Sequence, residues 1–188
     1  STDGKKHDVK IYFDVTGEWC VDVPQQPDQK VTWGRKRINE NTEALFMGSF
    51  RQNILAKCGD DLRIDWGYLH LVLPGANKHG YTGSYKMRKE FAKNSLIEKY
   101  DDDRKPRDVY DDCPVLASVI EWTVDEDNPA EDFILLAYDD IYSIEYFHEY
   151  LMAYWRRTGF SFEDMLAKSV HEYEKIMKMC NDFDAELI

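Results

Sequence analysis

Hydrophobic and polar positions alternate with period two through most of this chain, and the pattern changes to a helical one near Tyr142. Val9, Ile11, Phe13 and Val15 share one face of a run that reads as a strand, closed by Thr16-Gly17. Glu18 to Val21 begins another extended piece, and Pro24 and Pro27 bracket a polar loop that no central strand could contain. Lys30 to Trp33 followed by Arg37-Ile38 predicts a further strand with a bulge at Gly34. Thr42 to Phe50 fits either period, and its neighbours and length favour strand. After the turn residues Gly59-Asp60-Asp61, the run from Leu62 to Leu73 is the strongest strand of all, closed by Pro74-Gly75. Its two faces both become apolar towards the end, which places it in the middle of a sandwich. Pro114 to Val124 and Asp132 to Tyr138 predict two more strands, joined as a hairpin by the acidic turn Asp125 to Pro129.

Between Gly80 and Pro114 the alternation lapses. Tyr85 to Ala92 can form a short helix, with Met87 and Phe91 four residues apart, and Asp101 to Pro106 reads as a solvated loop of opposed charges. About seven strands with turns at these intervals predict an antiparallel β-sandwich over residues 1–141. Two linker helices are expected over 142–188. The first has Ser143 as N-cap, Ile144, Phe147, Leu151 and Trp155 on one face, Arg156-Arg157 in its last turn and Gly159 as its stop. The second opens with a capping box, Ser161 to Asp164, with Asp in place of Glu. Leu166, Val170, Tyr173, Met177 and Cys180 form its apolar stripe, which Phe183 and Leu187 continue. Nothing in the remaining residues can cover that stripe, so the expectation is of a fragment that ends just inside a further helical domain of the same polypeptide.

Composition sharpens this picture without changing it. Hydrophobic residues make up 43% of the chain and aromatic ones 14%, ample for a packed core and well suited to sheet faces or to a sugar-binding surface. Twenty-four Lys and Arg against 36 Asp and Glu leave a net charge of −12, which repels nucleic-acid backbones and anionic membrane surfaces. No apolar run approaches the ~20 residues that span a bilayer, so membrane insertion is not expected. Cys20, Cys58, Cys113 and Cys180 lie far apart with no CxxC spacing; disulfides are permitted in an oxidising compartment, and free, mostly buried thiols fit better.

The search for chemistry is largely negative. His7, His70, His79, His148 and His171 fall singly on different elements and read as surface or rim residues; His148-Glu149 lacks the second His of a zinc helix. No nucleophile elbow, phosphate loop or dinucleotide fingerprint occurs, and a Ser or Thr nucleophile leaves no local signature because triads assemble in space. The acidic groups at Asp60-Asp61, Asp101 to Asp103, Asp111-Asp112, Asp125 to Asp127 and Asp139-Asp140 match no calcium loop and read as solvated turns. Asp139-Asp140 stands at the strand-to-helix junction, where it can cap the coming helix or answer its dipole. Trp19, Trp33 and Trp66 could form a stacking platform for carbohydrate, although Trp66 suits a core position better. No catalytic, cofactor-binding or metal-ligating residue is assigned.

Several segments taken together carry a resemblance: YFDVTGEW, VTWGR, DDLRIDWGYLHLVLP, CPVLASVIEW, LLAYDDIYSIEYF and FEDMLAKSVHEYEKIMKMCNDFDAEL. In this order they span nearly the whole chain and resemble the bacterial and fungal glutaminase A-like proteins. The resemblance implies a β-sandwich region preceding a helical-barrel domain similar to the six-hairpin glycosidases. It also implies a parent that hydrolyses L-glutamine to L-glutamate and ammonia and is secreted, periplasmic or attached to the cell envelope. It places no catalytic residue on a position of this chain. The alternative from the residues themselves is a carbohydrate-binding or glycosidase-accessory module with a small-molecule or glycan ligand.

Overall fold

The predicted sandwich forms from two antiparallel sheets, as seen in a computed structural model that describes residues 3–23, 27–59, 63–94, 97 and 101–187. Strand β1 (His7–Thr16) pairs with β7 (Pro114–Val124), which pairs in turn with β5 (Lys78–Ser84), giving a three-stranded sheet. The second sheet has five strands in the order β6 (Arg107–Asp108), β2 (Lys30–Asn39), β3 (Thr42–Ser49), β4 (Tyr68–Pro74) and β8 (Leu135–Asp139). The inward-facing positions of both sheets supply the central core: Val15 and Leu116 from the smaller sheet meet Val31, Trp33, Leu45, Met47, Leu69 and Leu71 from the larger. Each outer face carries a helix. Helix α1 (Met87–Asn94) covers the smaller sheet through Met87 and Phe91, packed with Tyr81, Val115 and Val119. Helix α2 (Phe162–His171) covers the larger one through Phe162 and Leu166 against Ala44 and Val72. The expected burial of β4 on both faces follows from this layering.

Several local expectations are corrected. Glu18 to Cys20 is not extended: Gly17–Cys20 is a 3₁₀ turn, and the chain becomes extended only at Val21. The irregularity in β2 lies between Arg37 and Asn39, not at Gly34. Gly34 instead lies beneath the Phe46 ring, which a Cβ there would meet at 2.7 Å. Strand β4 starts only at Tyr68, while Leu62, Asp60 and Asp61 lie outside the described residues, as does Pro24. Strands β7 and β8 belong to different sheets, so the acidic segment between them joins layers and closes no hairpin. The lapse after Gly80 conceals β5. Its polar side chains are satisfied in place: buried Lys78 pairs with Asp132 and donates to the Pro74 carbonyl at 2.5 Å, and Thr82 and Ser84 donate to Asp101 and Asp112.

The largest correction concerns residues 143–158. The expected helix with Ile144, Phe147, Leu151 and Trp155 on one face is a two-stranded hairpin, β9 (Ile144–Tyr146) and β10 (Glu149–Leu151), followed by a 3₁₀ turn over Tyr154–Thr158. Gly159 does stop that turn, in the left-handed region at φ 82°. Asp139 caps no helix; it receives the Arg156 guanidinium at 2.6 Å. Beyond Gly159 the sequence pattern holds. Ser161 and Asp164 form the capping box of α2, and helix α3 (Tyr173–Leu187) follows after a break at Glu172.

His70, expected at a surface or rim, is only 2% exposed. It lies on β4 with its ring 4.6 Å from that of Phe162 and Nδ1 3.1 Å from the Tyr68 carbonyl oxygen. Burial, reinforced by the Lys36 ammonium, pulls its pKa down to about 4 against the opposing pull of the Tyr68 carbonyl, Asp139 and Glu163. The unfolded chain therefore takes up a proton near pH 6.5 that the folded chain refuses until about pH 4. Stability contributed by the neutral ring is complete above pH 6.5 and declines as the pH falls through that window. Urea unfolding is expected to show a loss of about 2 kcal/mol between pH 7.5 and pH 5 that is absent in His70→Gln.

Candidate functional site

Three strands facing five leave part of the larger sheet uncovered. The smaller sheet packs across β3 and β4, while on β8 the inward-facing Leu136 remains exposed. Val15, at the end of β1, and the 3₁₀ turn after it lean over this edge and enclose a groove of about 720 Å³. Val15, Val21, Leu69, Leu136 and Tyr138 form its floor and walls. Trp19, on the turn, is 71% exposed and presents its indole at the mouth beside Ile64, Glu18 and Arg63. The Tyr138 hydroxyl donates to the Trp66 carbonyl at 2.7 Å, and Glu18 accepts from the Thr16 hydroxyl at 3.2 Å. An apolar concavity of this size, with an aromatic wall and one acid and one base at the rim, suits a ring or chain with an apolar face.

The three tryptophans of the expected platform do not converge. Trp33 is 2% exposed, its indole N–H donating to the Asp102 carbonyl at 2.8 Å with the Arg107 guanidinium 5.1 Å from its ring centroid. Trp66 is half-buried and donates to the Tyr142 carbonyl at 3.2 Å. Of the three, only Trp19 presents an exposed indole. His7, His79, His148 and His171 lie on the surface as expected.

The acidic groups divide between ion pairs and solvated turns. Asp125 accepts from the backbone N–H of Asp127 and Asn128 within its exposed turn. Asp101, in contrast, is gripped by Arg35 and Thr82. Asp102 is buried, which corrects the solvated-loop reading: it takes Arg107 at 2.6 Å and both Nε and Nη2 of Arg104. Burial opposes its ionisation, yet the Arg104 and Arg107 hydrogen bonds overcome this and hold the carboxyl well below the usual carboxylate range. Near the foot of β3, Lys57 bridges Asp22 at 2.6 Å and Asp65 at 3.3 Å, and this contact lowers the pKa of Asp22. No group of three or more His, Cys, Asp or Glu among the described residues is arranged to hold a metal ion.

All four cysteines are free, and only Cys20 is buried. Burial pushes its thiol up to about 12, against a weaker opposing hydrogen bond from the Leu69 backbone, so it is a packed side chain and not a thiolate.

A second feature was only half legible in the sequence pattern, which left the apolar stripe of the last helix uncovered but did not show the hairpin. Among the described residues, fourteen of the twenty exposed large hydrophobic side chains lie on β8 or after it. They concentrate on the β9–β10 hairpin (Ile144, Tyr146, Phe147, Tyr150, Leu151) and on α3 (Ile176, Met177, Met179, Phe183, Leu187). Tyr173 stacks on Phe133 at 3.7 Å and fastens the start of α3 to the segment entering β8. No described helix is long and apolar enough to cross a membrane. Both elements thus leave apolar side chains uncovered in a chain with a well-filled core.

A family model described as a domain of unknown function (DUF5127) matches residues 1–188. No curated protein and no solved structure matches the chain.

Proposed function

The chain belongs to the DUF5127 family, and from that starting point we propose that it is the non-catalytic β-sandwich and linker region of a secreted or envelope-bound glutaminase. In this reading a helical-barrel domain of the same polypeptide converts L-glutamine to L-glutamate and ammonia, and the present region orients it. The observation that supports it is the concentration of uncovered apolar side chains on the hairpin and α3. The likeness to glutaminase A-like proteins supplies the identity of the neighbour and the reaction. Ammonia release from glutamine is the test. The full-length polypeptide is expected to be active and the 188-residue chain inactive; activity of the chain alone, or an inactive full-length protein, overturns the reading.

The Trp19 groove favours a second role, as a carbohydrate-binding accessory surface, because a flat exposed indole over an apolar floor matches the apolar face of a sugar ring. A glycan array is expected to give a ligand whose affinity falls at least about tenfold in Trp19→Ala, a loss of roughly 1.4 kcal/mol. A blank array removes this role. Trp33→Ala is no substitute, since Trp33 is part of the core.

A further inference from the structure

The β9–β10 hairpin is built against its own conformational preferences. Tyr146 lies directly opposite Glu149, so only Phe147 and His148 make the turn, and both take positive φ, 49° and 66°. A two-residue turn of that kind suits Asn-Gly, and an aromatic residue in the left-handed region is strained. Strands of three residues gain little by themselves, and every residue of these two is exposed. Nevertheless the turn holds Phe147 out into solvent, 81% exposed, with its ring braced edge-on against Tyr146 at 4.5 Å. Glu145 and Glu149 flank it, and the imidazole of His148, almost fully exposed, approaches Glu145 at 3.4 Å. Strain that displays an unburied aromatic side chain is retained where the display has a use.

We propose that this hairpin is a docking arm. Phe147 is its anchor, seated in an apolar pocket of the helical domain that follows in the same polypeptide, and Lys or Arg residues at the pocket rim pair with Glu145 and Glu149. The proposal rests on the linker role proposed above and names the contact that carries it. Charge weighs against the other occupants. A second copy of a chain with net charge −12 would set carboxylates against carboxylates, and an anionic bilayer would repel the same two glutamates.

Hydrogen–deuterium exchange on the full-length polypeptide and on the 188-residue chain tests the arm. Amides of residues 144–151 are expected to exchange at least tenfold more slowly in the full-length protein. Phe147→Ala, at an exposed tip that leaves the core intact, is expected to abolish that difference, and Glu145→Lys with Glu149→Lys to reduce it. Phe147→Asn with His148→Gly relieves the turn, so it is expected to slow hairpin exchange in the isolated chain while losing the full-length protection. A structural turn with no partner would show the first effect without the second. Protection of α3 with an unprotected hairpin overturns the arm and leaves the linker role standing; protection of neither overturns both. Self-association of the isolated chain in sedimentation, or binding to phosphatidylserine vesicles, that is lost in Phe147→Ala also overturns the proposed partner.

Discussion

Arg107→Ala is expected to destabilise the protein by about 3 kcal/mol or more, because it strands the Asp102 carboxylate in a buried position. Arg104 continues to reach Asp102, but its own side chain is largely exposed and cannot replace a buried partner. Arg107 also lies over Trp33, whose indole N–H is committed to the Asp102 backbone, so one truncation disturbs both the ion pair and the core beneath it. For a domain of this size the loss corresponds to a fall in Tm on the order of 10 °C. Arg104→Ala, in contrast, removes a solvent-screened contact and is expected to cost under about 1 kcal/mol. The Nε and Nη2 atoms of Arg107 have no hydrogen-bond partner among the described residues, so the pair is imperfect even when intact. The double variant Asp102→Asn, Arg107→Met is therefore expected to recover more than half of the loss, since it buries no unpaired charge. Equal Tm losses for Arg104→Ala and Arg107→Ala would refute this account.

Phe162→Ala is the second large effect. The ring is buried at the start of α2 between His70 at 4.6 Å and Trp155 at 6.0 Å, and it closes the outer face of the larger sheet. Its truncation is expected to cost about 3–5 kcal/mol in urea unfolding, through lost transfer energy and a cavity that the capped helix cannot collapse to fill. It also opens His70 to water. The His70 pKa is then expected to climb back towards its ordinary value, and the acid-side loss of stability described above to shrink in the same variant. A large stability loss with an unchanged pH profile would mean that burial by Phe162 is not what holds His70 neutral.

The layers of this fold were legible where one face of an element is wet and the other dry. Strand β1 announces itself by alternation, and α2 by a stripe preceded by its capping box. Where polar residues are buried with partners, that signal vanishes. Strand β5 reads Lys-His-Gly-Tyr-Thr-Gly-Ser, and Asp132, Asp101 and Asp112, brought in from distant segments, make those side chains compatible with a buried position at the edge of its sheet. The hairpin misled for a geometric reason. Ile144, Phe147 and Leu151 are spaced by three and four residues, as on a helix, yet Ile144 opposite Leu151 across a two-residue turn has the same spacing. The Trp19 groove had no local signature, because it arises from the difference in width between two sheets.

The pairing of β1 with β7 has a consequence for the making of the protein. His7 meets Val124, so β1 leaves the ribosome long before its partner exists, and at ~5–20 residues per second it waits on the order of ten seconds. Over that interval its apolar face of Val9, Ile11, Phe13 and Val15 has no sheet to join, and folding cannot begin at this end of the chain. The larger sheet is different: β2, β3 and β4 are consecutive neighbours that can pair as they emerge. Synthesis thus pairs the β2–β3–β4 centre of the broad sheet first, closes the narrow sheet when β7 emerges and adds β8 last, and the alternating Asp8, Lys10 and Asp14 keep the waiting strand from pairing with strangers.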